Sequence, residues 1–286
     1  MYLQCTQWAW KIVTVCEQRR IDSKAIPGDY RKLDDMCRAA APHSNVTRII
    51  CIALFALAAS AVLGGANDKP DPEEWLRKAE SAYAKVSGYT AIFHRQQRIG
   101  GKLLPEETIF LKFKKPFSVY MHWIKAPLKG SELLYVKGWN ENRLRAHRGG
   151  ILRFITRDLE PNDPALMEHN LRPVTSMGIG FLLEGIGTNV RKATKNGELI
   201  FVDHGEEPVF GRLTRLIEVS IPKDRAKDYD GCRLVVNQDL ESMMLIRIKI
   251  YDRDDRLMEY YGYEDLDLGA RLTDADFDPK NPEYHF

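Results

Sequence analysis

From Ile109 to Pro127 the chain reads IFLKFKKPFSVYMHWIKAP, and apolar and polar side chains alternate on both sides of a Lys114-Lys115-Pro116 break. Successive side chains of a strand point to opposite faces, so this spacing predicts two adjacent strands with one apolar and one basic face. Ile109, Leu111 and Phe113 share a face in the first. Phe117, Val119, Met121 and Trp123 share one in the second, opposite Ser118, Tyr120 and His122. The same period recurs on either side. YTAIFHRQQRI leads through Gly100-Gly101, a hairpin-type turn, into LLPEETIFLKF. GSELLYVKGWNENRLRAHRGGILRFI reads as two or three further strands. A second run holds RLTRLIEVSIP, CRLVVNQ, MMLIRIKIYD and LMEYYGYEDLD; there Met244, Ile246, Ile248 and Ile250 line one face and Arg247 and Lys249 the other.

Helical spacing appears in two places. In DPEEWLRKAESAYAKVS, Asp71 can cap, Pro72 suits a first turn, and Glu73 and Glu74 favour the positive end of the helix dipole. Trp75, Ala79, Tyr83 and Val86 recur on one face, and Gly88 ends the helix. Between about Pro161 and Asn196, VTSMGIGFLLEGIGTNVRKA is weakly amphipathic and glycine-rich, which predicts a short helix with an irregular start inserted between two sheet segments. The tail LTDADFDPKNPEYHF carries two prolines and is expected to end the fold. The class is mainly β (α+β): one helix, a meander, a helical insert, and a second meander. A sheet of roughly nine to eleven strands curls or closes. The expectation is a curved antiparallel sheet or unclosed β-barrel whose apolar face the few helices cover.

The N-terminal pattern is different. IICIALFALAASAVLGGA, from Ile49, is uncharged and follows Arg38 and Arg48. It ends in small residues, Ala59-Ser60-Ala61 and Gly64-Gly65-Ala66, ahead of polar NDKPDPEEW. That order predicts a secretory signal peptide, with an uncleaved inner-membrane anchor as the alternative. Residues 1–48 are long for the basic region before such a run, and MCRAAAPHSNVTR from Met36 has the ordinary form. The expected organisation is residues 1–35 as a mis-assigned start or disordered stretch, 36–66 as signal peptide, and 67–286 as one β domain. Cleavage would leave Cys232 alone, so no disulfide framework is implied.

Charge adds polarity to this picture. Residues 91–157 hold fourteen Lys and Arg against four Asp and Glu, and residues 252–286 hold four against eleven. Either basic and acidic strands meet and cancel, or a basic rim faces anionic head groups or an acidic partner. The net charge of the whole chain is only +2 and no nucleic-acid reader motif is present, so nucleic acid is not an expected partner.

Catalytic signatures do not emerge. There is no Gly-x-Ser-x-Gly elbow, no phosphate-binding Walker loop and no His-Glu-x-x-His. Gly178–Gly185 offers Gly-x-Gly alone. His94, His122, His147 and His204 fall in strands or turns without metal-ligand spacing. Cys232 reads as a buried, inert thiol, and Glu106-Glu107 and Asp254-Asp255 as solvated turn charges. A non-enzymatic protein without cofactor or metal is the expectation.

The order of elements resembles the periplasmic lipoprotein-carrier fold, which includes the outer-membrane lipoprotein chaperone, its receptor and a related lipopolysaccharide-binding stress-sensor domain. The resemblance rests on Tyr83 and Tyr89 around the end of the first helix, Gly101-Lys102-Leu103 at the hairpin, Lys114-Lys115-Pro116, Pro127, and Phe277 and Pro279 near the end. Residues 71–286 also resemble domain-of-unknown-function family 1571 of exported bacterial proteins. The carrier resemblance implies an unclosed barrel with a helical lid over an acyl-chain cavity. It also implies an arginine in the early strands that helps close the lid; Arg95 and Arg98 are the candidates by place, and neither is assigned that role.

Together these readings predict an exported, periplasmic, monomeric binder or carrier of a lipid or lipid-modified protein, with an envelope receptor as a further partner. The alternative is an envelope sensor or adaptor that binds a protein through the same sheet. Phe93, Ile109, Leu111, Phe113, Val119, Met121 and Trp123 are the expected cavity wall. Trp75, Tyr83, Phe181 and Leu182 are the expected lid. Arg95, Lys112 and Lys114 are the expected head-group contacts at the mouth. Each sequestered methylene is worth about 0.8 kcal/mol, so a sixteen-carbon chain gains roughly 12 kcal/mol before costs.

Overall fold

The computed structural model describes residues 71–225, 229 and 231–286. The stretches read as an overrun start, 1–35, and as a signal peptide, 36–66, lie outside the described residues. Helix α1 (Pro72–Ala84) begins as its sequence predicts: the Asp71 side chain accepts a hydrogen bond from the Glu73 backbone N–H at 3.0 Å, with Pro72 in the first turn.

Strands β1 (Gly88–Ile99), β2 (Lys102–Leu103), β3 (Glu107–Lys114), β4 (Ser118–Trp123), β5 (Glu132–Val136), β6 (Leu144–His147) and β7 (Arg157–Leu159) make the first meander. Gly100 and Gly101, both at positive φ, close the β1–β2 hairpin. The second meander is β8 (Ile200–Val209), β9 (Arg212–Ser220), β10 (Arg233–Asp239), β11 (Leu245–Tyr251) and β12 (Leu257–Asp267). Among the described residues all twelve belong to one sheet, in the order β7-β6-β5-β4-β3-β1-β12-β11-β10-β9-β8, with β2 beside β1. The two meanders meet at a central β1–β12 seam, where Phe93 faces Tyr263 and Arg95 faces Tyr261. Strands β7 and β8 are the edges, and the barrel is unclosed.

The twelve strands are one more than the upper end of the nine to eleven expected, and two of them, β2 and β8, have no strand of their own in the sequence pattern. Strand β2 is a two-residue stub. Strand β8 carries no strand-like pattern because its apolar residues are few and it holds Gly205 and Pro208. A register shift between Asp203 and Glu206 breaks its alternation. Those are edge-strand features, where a missing N–H and a bulge are tolerated.

The connection from β7 to β8 carries α2 (Pro164–Met167), a 3-10 turn at Val174–Ser176 and α3 (Ile179–Asn196). Helix α3 is eighteen residues long, not the short helix its weak amphipathicity predicts. Ile179, Leu183, Ile186, Val190 and Ala193 form its buried stripe. It packs alongside α1 at Gly187, where an added Cβ would lie 3.1 Å from the Glu80 carboxylate and 3.3 Å from Leu76. Arg191 clamps the pair, reaching Glu73 at 3.2 Å and Glu80 at 2.7 Å.

The main core lies between these helices and the concave face of the sheet; Tyr89, Phe93, Ile109, Leu111, Ile217, Val236, Ile246, Ile248 and Tyr263 all belong to it. A second, small core sits on the convex face. There the C-terminal tail folds back instead of trailing away: Tyr284 stacks on Tyr120 at 3.8 Å, and Phe277 and Leu134 complete the cluster. The buried carboxylate of Glu132 accepts from the His285 backbone N–H at 3.2 Å and pairs with His285 Nδ1 at 2.6 Å.

Candidate ligand-binding hollow

The concave face is not filled along its whole length. A hollow of about 740 Å³ opens over β1, β4–β7 and β12, beneath the segment that runs from Leu159 to the first turns of α3. Met121, Trp123, Leu133, Leu144 and Ala146 give it an apolar floor. Leu166, Met167, Val174, Met177 and Leu182 give it an apolar roof.

Polar groups gather toward the Arg95 and Gln97 end of β1. Arg95 donates to Glu107 at 2.6 and 3.1 Å, and the Trp123 indole N–H donates to the same carboxylate at 2.9 Å. Gln97 donates to the Tyr261 hydroxyl at 3.0 Å and accepts from the Leu171 backbone N–H at 3.3 Å. Tyr261 in turn donates to Glu259, which Arg172 meets at 3.2 Å. The roof is therefore latched to β1 and β12 by Leu171 and Arg172, both on the connecting segment. Burial, reinforced by Glu259, holds the Tyr261 hydroxyl well above the usual tyrosine range, so it stays a neutral donor. Tyr263 also lines the hollow, and its fully buried hydroxyl has no hydrogen-bond partner among the described residues. Buried hydroxyls are usually paired.

Of the residues expected in the cavity wall, Phe93, Met121 and Trp123 line the hollow. Ile109, Leu111, Phe113 and Val119 share their face but are buried in the packed core. Phe113 shows why: it stacks on Tyr89 at 5.1 Å, meets Phe117 edge-on at 5.3 Å, and lies 3.2 Å from where a Cβ on Gly178 would be. Of the expected lid, Leu182 lines the hollow. Phe181 lines a smaller cleft of about 130 Å³ between α3 and strands β9–β11. Trp75 packs edge-on against Phe201 of β8 at 5.6 Å, and the Tyr83 ring would lie 2.6 Å from a Cβ on Gly180, so neither roofs the hollow.

Arg95 lines the hollow, but the other two expected head-group contacts need correction. Lys112 and Lys114 alternate with Leu111 and Phe113, so the pleat sends them to the convex face. There Lys112 meets Asp276 at 3.4 Å and Glu283 at 3.5 Å, and Lys114 pairs with Asp274. Burial opposes the charge on Lys112, but Tyr284, Asp276 and Glu283 outweigh it and raise its pKa. Neither candidate by place for the arginine that the carrier resemblance implies reaches the roof. Arg95 pairs within the sheet, Arg98 binds the carbonyls of Leu257 and Gly101, and Arg172 of the roof reaches Glu259.

The roof residues Leu166, Met167, Val174 and Met177 were missed from sequence. Their only signal was a scatter of large apolar residues in a stretch punctuated by Pro161, Pro164 and Pro173.

Among solved structures the chain is similar to MucB, at 14% identity and TM-score 0.44, over 74% of this chain and 63% of that one. It thus spans less than two thirds of the length of MucB. A complex of MucA and MucB from Pseudomonas aeruginosa is also similar, at 14% identity and TM-score 0.40, over 72% of this chain and 59% of that one. The lipoprotein LppX of Mycobacterium tuberculosis is similar at 13% identity and TM-score 0.43, over 71% of this chain and 100% of that one. No curated protein sequence matches the chain. Residues 86–286 match the model of the family described as Protein of unknown function (DUF1571), and the chain belongs to that family.

Proposed function

We propose that this chain is a non-enzymatic, exported binder that carries a lipid, or the acyl chain of a lipid-modified protein, in the hollow beneath its roof. The observation that carries this reading is an apolar hollow of about 740 Å³ with one polar end. That volume lies within the roughly 300–1,000 Å³ of small-molecule sites. A methylene takes about the volume of a water molecule in the liquid, about 30 Å³, so sixteen need roughly 480 Å³. The acyl chain lies among Met121, Leu133, Leu144, Leu166 and Met177. The unpartnered Tyr263 hydroxyl donates to an ester or acid carbonyl, and Arg95 faces the head group. Release requires the Leu171 and Arg172 latch to open, on meeting a membrane or an envelope receptor. Among the described residues no helix is long and apolar enough to cross a membrane.

The test is to purify the chain from a membrane-rich lysate, extract it, and identify bound lipid by mass spectrometry. Near-stoichiometric lipid is expected, falling by about tenfold, a change of about 1.4 kcal/mol, when Leu133→Trp fills the hollow. Absence of lipid together with failure to bind a fluorescent fatty acid would sink the reading. A second reading, an envelope adaptor for a protein partner, is favoured by one observation. Edge strand β8 and its neighbour expose Ile200, Val202 and Leu213, as a strand awaiting a pairing segment would.

A further inference from the structure

The largest exposed apolar cluster of the described residues sits at the rim of the hollow. Between β6 and β7 the chain reads RGGILRFITR, from Arg148 to Arg157, and its centre is a 3-10 turn, Gly150–Phe154. Ile151 is 94% exposed and Phe154 78%, with Leu152 and Ile155 about half exposed at 48% and 53%. Such a run normally packs against something. Here Leu152 and Ile155 border the hollow while Ile151 and Phe154 point away from the protein's own core.

The charges within this turn are of one sign, and the adjoining Asp158 is taken by Arg145 at 2.8 Å. Arg148, Arg153 and Arg157 are exposed, and no Asp or Glu stands between 148 and 157. The neighbouring β4–β5 loop adds exposed Lys125 and Lys129. The two loops are pressed together: a Cβ on Gly149 would overlap the Lys129 carbonyl oxygen at 2.0 Å, and the Gly149 N–H donates to Ser131 Oγ at 3.0 Å. None of these five cations has a carboxylate partner among the described residues, whereas Arg95, Lys112, Lys114, Arg143 and Arg145 all do. The basic excess of residues 91–157 thus divides. Five of the fourteen are neutralised by carboxylates and five form a rim around four exposed apolar side chains, while Arg98, Lys102, Lys115 and Lys137 lie elsewhere. Arg148 and Arg157 also line the hollow, so the rim and its opening are continuous.

We propose that this turn is a membrane-docking element: Ile151, Leu152, Phe154 and Ile155 enter the interface of an anionic bilayer, and Arg148, Arg153, Arg157, Lys125 and Lys129 hold its head groups. Apolar insertion and basic attraction are the two forces that hold peripheral elements on anionic lipid. An acidic protein surface would satisfy the cations but leave Ile151 and Phe154 in water. Docking here sets the mouth of the hollow against the lipid surface. The inference goes beyond the carrier reading and does not depend on it, since a chain with an empty hollow can still dock.

The test is hydrogen–deuterium exchange of the full chain with vesicles of phosphatidylglycerol and phosphatidylcholine, and with phosphatidylcholine alone. This readout is local, so adsorption through the apolar run at residues 49–66 does not obscure it. Amides of 150–156 are expected to exchange at least about fivefold more slowly on the anionic vesicles and to be little changed on the neutral ones. The double variant Ile151→Ser with Phe154→Ser removes only exposed side chains. It is expected to lose that protection while keeping its thermal transition and whatever lipid co-purifies. Arg153→Glu with Arg157→Glu is expected to lose it as well, and added salt to weaken the wild type. Vesicle-bound protein without slowed exchange at 150–156 would overturn the proposal, as would equal protection in the double serine variant. Co-purified lipid bears on the hollow alone, so the two readings fail separately.

Discussion

The two sides of the β1–β12 seam are built from the same alternation and end in different states. On the β8–β12 side, α3 lays Ile186 and Val190 over Val219, Leu234 and Ile250, leaving a cleft of about 130 Å³. Trp75 of α1 meets Phe201 there. On the β3–β7 side the gap is about 740 Å³. The strands alone do not explain the difference, because β3–β5 on one side and β9–β11 on the other both present large apolar residues to this face. The covers do. A helix advances about 1.5 Å per residue and extended chain about 3.3 Å, so a helix stacks twice as many side chains over a given length of sheet. One side is roofed by an eighteen-residue helix, the other by a proline-punctuated segment whose helix is four residues long. A hollow remains where the cover is extended.

Core truncations should separate the two sides most sharply. Ile248→Ala, on the filled side and fully buried, is expected to cost about 3 kcal/mol, because transfer and cavity terms add. Leu133→Ala, on the hollow side, enlarges a space that already exists and should cost about 1 kcal/mol. Urea titration of both measures the gap, and equal losses would mean the hollow side is packed in solution.

Next in size is the latch. Arg172→Ala leaves the Glu259 carboxylate buried without that cation, with an expected loss of about 1–2 kcal/mol after allowing for the partial exposure of Arg172. Stopped-flow release of a fluorescent fatty acid should quicken several-fold. An unchanged release rate would show that the roof does not gate the hollow.

Tyr263→Phe should move stability the other way. It removes a buried hydroxyl without a partner, so the delipidated protein is expected to gain about 1 kcal/mol while fatty-acid affinity falls. Loss of stability would place a partner on that hydroxyl inside the protein.

The smallest expected effect lies on the convex face. Burial lowers the pKa of His122, with Glu132 opposing and His285 and His147 reinforcing the shift. The unfolded chain then binds the proton more readily, so the folded state loses stability as pH falls through about 6.5 toward the lower folded value. The urea midpoint of the wild type should drop more between about pH 8 and about pH 5 than that of His122→Asn. A larger drop in the variant would reverse the sign.

Legibility followed the local signal. The α1 cap at Asp71, the Gly100-Gly101 hairpin and the faces of β3, β4 and β11 are encoded by neighbouring residues and are found as read. Strand β8 was not legible because an edge strand needs no continuous apolar face. Phe93, Met121 and Trp123 line the hollow, while Ile109, Leu111, Phe113 and Val119 share the face but are packed solid. Periodicity assigns a face and not what lies across from it. Lys112 and Lys114 were misplaced for a reason the alternation itself contains, since they fall on the opposite side of the pleat from Leu111.

By itself the sequence determined the strands other than β8 and β2, their two faces, the first helix and the unequal distribution of charge, because each depends on residues within a few positions of one another. Tertiary structure alone decided that the last strand pairs with the first and that the acidic tail neutralises Lys112 and Lys114 but not the rim. It also decided that the roof over β3–β7 spans the sheet without filling it. Those outcomes depend on which distant segments meet and on how much side-chain volume each brings, and no local pattern carries either quantity.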